Sequence, residues 1–228
     1  VKNGSRIQVV FTSAKLLALL VLIVAGISIG MNSGRLSENL TGAWDASQTV
    51  KDKAGNWITT PLAGFALILA LGSAMIGSLF SSDAWNNVTF IAGEIKDPKK
   101  NIPRSLFLGT LIVTILYVLA NVAYLCLLPV KGVPDAGASV VAQGIQFASN
   151  DRVGTAAATF IFGDLAVVLM AVLIMISTFG CNNGLILAGG RLYYAMAKEG
   201  LFFRKAGQLN KHGVPAFALI VQGIWSCV

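Results

Sequence analysis

The sequence predicts an all-α integral membrane protein. Of its 228 residues, 55% are hydrophobic and 12% charged, with a mean hydropathy of +0.74. A soluble domain carries about 25% charged residues. The apolar residues also gather into runs near the roughly 20 residues that a spanning helix needs. The basic residues lie between these runs rather than in one surface patch. The pI of about 9.5 therefore reflects topology, and no nucleic-acid partner is expected.

Five runs are expected as spans. The first covers about 7–30 and ends at a glycine-rich turn. The second covers 61–93, too long for one straight span, and is broken near 80–84. The third, 105–130, starts after Pro103 and stops at Pro129. The fourth covers 155–190, and the fifth, 214–228, is truncated. The chain starts without Met, so it reads as an internal piece of a longer protein and of one transmembrane domain. Residues 31–60 are polar and read as an exposed loop. Residues 131–152 read as short surface helices, and 191–213 as a basic, partly helical connection.

With the residue 1 end cytoplasmic, Lys2, Arg6, Lys96, Lys99, Lys100, Arg104, Arg191, Lys198, Arg204, Lys205 and Lys211 lie inside. Arg35, Lys51, Lys53, Lys131 and Arg152 lie outside. That distribution follows the positive-inside rule, and the opposite orientation violates it.

The stretch Gly77-Ser78-Leu79-Phe80-Ser81-Ser82-Asp83-Ala84-Trp85-Asn86-Asn87 stands out. It places polar groups in mid-span, where a hydrocarbon core penalises any without partners. An interrupted helix lining a polar cavity meets that demand. Asp83 has two compatible readings. It is an N-cap for a second half-helix starting at Ala84-Trp85, or a contact for a cation or proton. Lys15, two turns into the first span, either snorkels to the surface or points into the bundle among oxygen partners. Gly180-Cys181-Asn182-Asn183-Gly184 is a small-xxx-small pattern suited to close helix packing. Ser177, Thr178 and Asn183 add polar groups beside it, and Asp164 reads as interfacial.

Catalytic chemistry is not expected. No phosphate-binding loop, His-Glu-x-x-His or nucleophile elbow occurs. Cys126, Cys181 and Cys227 have no metal or disulfide spacing, and His212 is the single histidine. No metal or cofactor is expected.

The segment Glu94-Ile95-Lys96-Asp97-Pro98-Lys99-Lys100-Asn101-Ile102-Pro103 resembles the loop after the sixth helix in the amino acid–polyamine–organocation superfamily. Ile112 to Tyr124 is similar to the seventh helix of its L-type amino acid transporter branch. Ala14 to Leu19 is similar to the fifth, and Gly189 to Gly200 to the end of the eighth. The resemblance implies a LeuT-type fold of two inverted five-helix repeats, with this chain as helices five to eight and the start of nine. It implies that Phe80 closes over the substrate, that carbonyls of the unwound segment around Ser81, Ser82 and Asp83 hold the substrate amino group, and that Asn86 lies beside it. It places Lys15 where sodium-coupled relatives bind an ion, with Ser177 and Thr178 facing it. Family members often carry small residues where this chain has Ser82-Asp83-Ala84, so the substrate charge class stays open.

The expected function is secondary transport of amino acids by alternating access, as exchanger or proton symporter, in a multi-pass plasma-membrane protein. Two alternatives stand: a polyamine or cationic amino acid carrier, and a non-transporting membrane sensor or scaffold. The expected partners are an amino acid and the lipid bilayer. No accessory subunit is assigned.

Overall fold

The computed structural model describes residues 2–83, 85–137 and 139–227. Among them, four helical stretches are long and apolar enough to cross a membrane: Arg6–Ser33, Phe65–Phe90, Pro98–Leu127 and Leu165–Lys198. The helices are α1 (Lys2–Gly30), α2 (Arg35–Thr41), α3 (Phe65–Ser81), α4 (Pro98–Leu127), α5 (Val140–Gln143), α6 (Val153–Phe162), α7 (Leu165–Lys198) and α8 (Ala216–Trp225). Between α2 and α3 lie strands β1 (Ser47–Lys51) and β2 (Trp57–Pro61).

The hairpin corrects the expectation of a plain loop over 31–60. β1 and β2 pair antiparallel, with Thr49 opposite Thr59 and their hydroxyls 2.9 Å apart. Thr49-Val50 and Ile58-Thr59 supply β-branched residues on either side of a tight turn. Gly55, at φ +83°, supplies the left-handed step that turn requires. Pro61 therefore ends a strand, and α3 begins four residues later than the hydropathy run.

Three other boundaries move. α4 starts at Pro98 rather than after Pro103, because Pro98 suits a first helical position and the Asp97 carbonyl accepts the N–H groups of Lys100 and Asn101, both at 3.0 Å. Pro103 lies inside this helix, in its second turn, and removes the bond that an N–H there would give the Lys99 carbonyl. The run expected over 155–190 is not one span. Gly163, at φ +62°, and Asp164 separate α6 from α7. Past residue 190, α7 continues to Lys198.

The chain groups into two compact units: Val1–Ala18 with Ala84–Thr114 and Val172–Val228, and Leu19–Asp83 with Ile115–Ala171. The second unit holds the tightest packing. Leu127, Leu128, Ala156 and Ala157 are buried there, with Tyr124, Phe160 and Ile161 against them. α1 meets α4 through small residues. A methyl added to Gly26 would stand 3.0 Å from Ala123 Cβ, and one on Gly30 would stand 2.5 Å from Cys126 Cβ. Close backbone approach is how membrane helices gain dispersion contacts when lipid already solvates their apolar side chains. The α4 end is capped by Asn39 of α2. Its amide donates to the carbonyls of Leu125 (2.8 Å) and Leu128 (2.9 Å), and its oxygen accepts Val130 N–H (2.9 Å). The hairpin is held by Trp57, whose indole N–H donates to Asp135 Oδ2 at 2.8 Å.

In the first unit, glycines of α7 make similar approaches. A methyl on Gly180 would stand 3.0 Å from Phe11 Cβ, and one on Gly190 2.6 Å from Leu219. Gly180 and Gly184 thus serve the close packing that their spacing suggests.

Candidate functional site

α3 stops in mid-span, and the partners of its last four carbonyls set the local geometry; Ser82 N–H reaches Ser78 O at 3.2 Å and Leu79 O at 3.3 Å. Three are satisfied within the segment. Ser78 O accepts from Ser81 Oγ (2.9 Å) and Ser82 Oγ (3.1 Å), Leu79 O accepts from Ser82 Oγ (3.0 Å), and Phe80 O accepts from Asp83 N–H (3.4 Å). The fourth, Ser81 O, accepts from Tyr117 Oη of α4 at 3.3 Å. The serines therefore close their own helix, and their hydroxyls are committed to its carbonyls rather than free for a ligand.

Beyond Ser81 the backbone turns rather than extends. Ser82 has φ −95° and ψ 9°. A 3-10 stretch, Trp85–Glu94, follows in place of a second α-helical half. Ala84, part of the expected break, lies outside the described residues. Among the described residues no donor reaches the Ser82 or Asp83 carbonyl. The Asp83 carboxylate likewise accepts no hydrogen bond among them, so no described donor gives it the role of an N-cap. The Phe80 ring is 84% exposed beside this turn. Asn86 is the second residue of the 3-10 stretch, and its carbonyl accepts from Thr89 Oγ1 at 2.7 Å.

Phe80, Ser81, Ser82 and Asp83 belong to the second unit, and Asn86, Lys15, Ser177 and Thr178 to the first. Within the first unit α1 and α7 run antiparallel. Gln8 accepts from Asn183 Nδ2 at 3.1 Å, while Phe11 packs on Phe179 with ring centroids 5.0 Å apart. Lys15 Nζ lies 3.8 Å from Cys181 Sγ. The ammonium thus leans toward α7 from a half-buried side chain. Ser177 lies one helical turn before Cys181 on α7, but Thr178 donates to Ile174 O of its own helix at 2.9 Å. A thiol is a weak acceptor, so Lys15 retains most of its capacity to donate.

Sequence reasoning missed Tyr117, Cys181 and Asn39 as structural partners. Tyr117 carried a signal: a phenol within an apolar span needs somewhere to donate. Cys181 carried none beyond its place in the glycine pattern. Asn39 was hidden in a segment read as loop.

Comparison with known proteins gives one family and a consistent set of relatives. The amino acid permease family profile matches residues 1–228. The b(0,+)-type amino acid transporter 1 of Rattus norvegicus is 27% identical over 225 residues, covering 98% of this chain and 39% of that protein. The serine/threonine exchanger SteT of Bacillus subtilis is 28% identical over 198 residues, 87% of this chain and 37% of that one. The Asc-type amino acid transporter 1 of Mus musculus is 30% identical over 201 residues, 88% and 32% respectively. The chain spans about two fifths of the length of the first of these.

Proposed function

The chain belongs to the amino acid permease family, and from that premise we propose that it forms part of a secondary transporter that moves amino acids across the plasma membrane by alternating access, as an exchanger or proton symporter. The family implies the LeuT-like fold, in which a broken helix carries the substrate. The observation that carries the reading is the end of α3 at Ser81, followed by two carbonyls that no described donor satisfies. In a low-dielectric span such carbonyls attract a cation strongly, and an amino acid's ammonium supplies three N–H donors. Phe80 covers the bound zwitterion, and the family resemblance is what assigns Asn86 to substrate recognition. Lys15 acts as a fixed cation in place of a coupling ion, with Ser177 near its path. The residue 1 end is cytoplasmic, a reading supported by the basic residues of 96–104 and 191–211.

A second reading has its own support. The Asp83 carboxylate, without a hydrogen bond among the described residues, favours a substrate with a second positive charge. Both readings are tested with the full-length protein in liposomes. Labelled neutral and cationic amino acids are offered against preloaded unlabelled amino acid, with and without a pH gradient. Uptake that needs internal amino acid marks an exchanger, and uptake driven by the gradient marks a symporter. Asp83→Asn that abolishes only cationic uptake supports the second reading. No uptake under any condition favours a sensor or scaffold.

A further inference from the structure

We infer that Tyr117 is a positioning residue that keeps α3 broken, by occupying the carbonyl through which the helix would otherwise continue. The inference rests on the reading of this break as the amino acid site. In an uninterrupted α-helix Ser81 O would accept the N–H of Trp85, four residues on. Ser82 O and Asp83 O would then accept from Asn86 and Asn87. Once a helix exists, each further residue adds a bond at little cost, and the serine hydroxyls that close the last turn go to the Ser78 and Leu79 carbonyls, not to Ser81 O, whose occupation by an inserted side chain interrupts the ladder. No proline follows before Pro98. A hydroxyl stands there instead. Tyr117 Oη, from 36 residues away, donates to Ser81 O at 3.3 Å, and the chain beyond enters the tighter 3-10 path. The two carbonyls that the substrate ammonium needs are those that no described donor satisfies.

Tyr117 lies on α4, and its backbone carbonyl accepts from Asn121 Nδ2 at 2.8 Å, one turn on. The contact joins two helices of the same compact unit, so it is not a surface accident of one flexible segment. A phenol has one proton to give, and here it is given to Ser81.

Tyr117→Phe in the full-length protein keeps the ring and removes that proton. Two readouts separate a positioning role from general support. The first is hydrogen exchange at the Asn86 and Asn87 amides. If α3 extends, both become at least tenfold more protected in Tyr117→Phe than in the parent, whereas unchanged protection overturns the inference. The second is recognition of the amino group. KM for a transported amino acid should rise about three- to tenfold, the range of one lost hydrogen bond. The preference for that amino acid over its N-methyl analogue should fall toward one. Equal weakening of both compounds, with the preference intact, means a merely structural tyrosine and also overturns it. The exchange readout needs no transport, so a parent protein that moves no amino acid defeats the functional reading without deciding this one.

Discussion

Replacing Lys15 with Met separates the role of a buried charge from its burden on folding. Lys15 lies nine residues beyond Arg6, where the span begins, or about 14 Å along the helix at 1.5 Å per residue. That depth is near the middle of a hydrocarbon core of about 30 Å. A lysine at such depth costs about 2.5–3.5 kcal/mol on insertion scales. The partner on α7 is a thiol at 3.8 Å, which returns little of that cost. The side chain is half-buried, so part of the penalty is relieved by whatever polar surroundings it reaches. Met has similar length and no charge. Lys15→Met should therefore stabilise the fold by about 1 kcal/mol or more, a rise of roughly 2–4 °C in Tm for a domain of this size. Amino acid uptake should fall at least tenfold, and added sodium should not restore it. Thermal unfolding in detergent and uptake in liposomes measure the two effects. A less stable protein, or a stable one with normal uptake, would refute the reasoning.

Gly30→Ala should be severe, because the new methyl would meet Cys126 Cβ at 2.5 Å and the Cys126 carbonyl at 2.7 Å. Overpacking of that kind costs about 1–3 kcal/mol, and the loss should register as lower yield and lower Tm. Asn39→Ala removes three hydrogen bonds at the α4 terminus. It should cost about 1–3 kcal/mol in thermal unfolding without changing substrate preference. Phe80→Ala changes a ring that is 84% exposed, so Tm should hold within about 1–2 °C while uptake falls sharply. Unchanged uptake would move the gate elsewhere.

The spans were legible because hydropathy over about 20 residues reports membrane depth directly. Their ends were less so. Apolar residues flank Gly163 and Asp164 on both sides from Phe160 to Leu169, and that short pair, with the glycine at positive φ, is all that marks the turn between α6 and α7. The hairpin was hidden because ten strand residues among polar neighbours weigh little against a loop-like composition. α3 ends at Ser81, within the polar stretch at mid-depth, but the roles of Ser81 and Ser82 were not legible. A serine near a helix end can bond backward to its own turn, and spacing alone does not show that it will. The partner of Lys15 depended on direction. Helical side chains lean toward their own N-terminus, so on antiparallel α7 the ammonium reaches Cys181, one turn beyond Ser177. Asn39 and Tyr117 act across 86 and 36 residues of sequence, distances over which no local pattern carries information.

The most direct measurement is a structure of the full-length protein with an amino acid bound. The account predicts the substrate ammonium about 2.7–3.2 Å from the carbonyl oxygen of Ser82 or Asp83, with Phe80 over it and Tyr117 still donating to Ser81. An amino acid bound elsewhere, or an α3 that runs unbroken through Asn87 with both carbonyls taken by helix N–H groups, would contradict it.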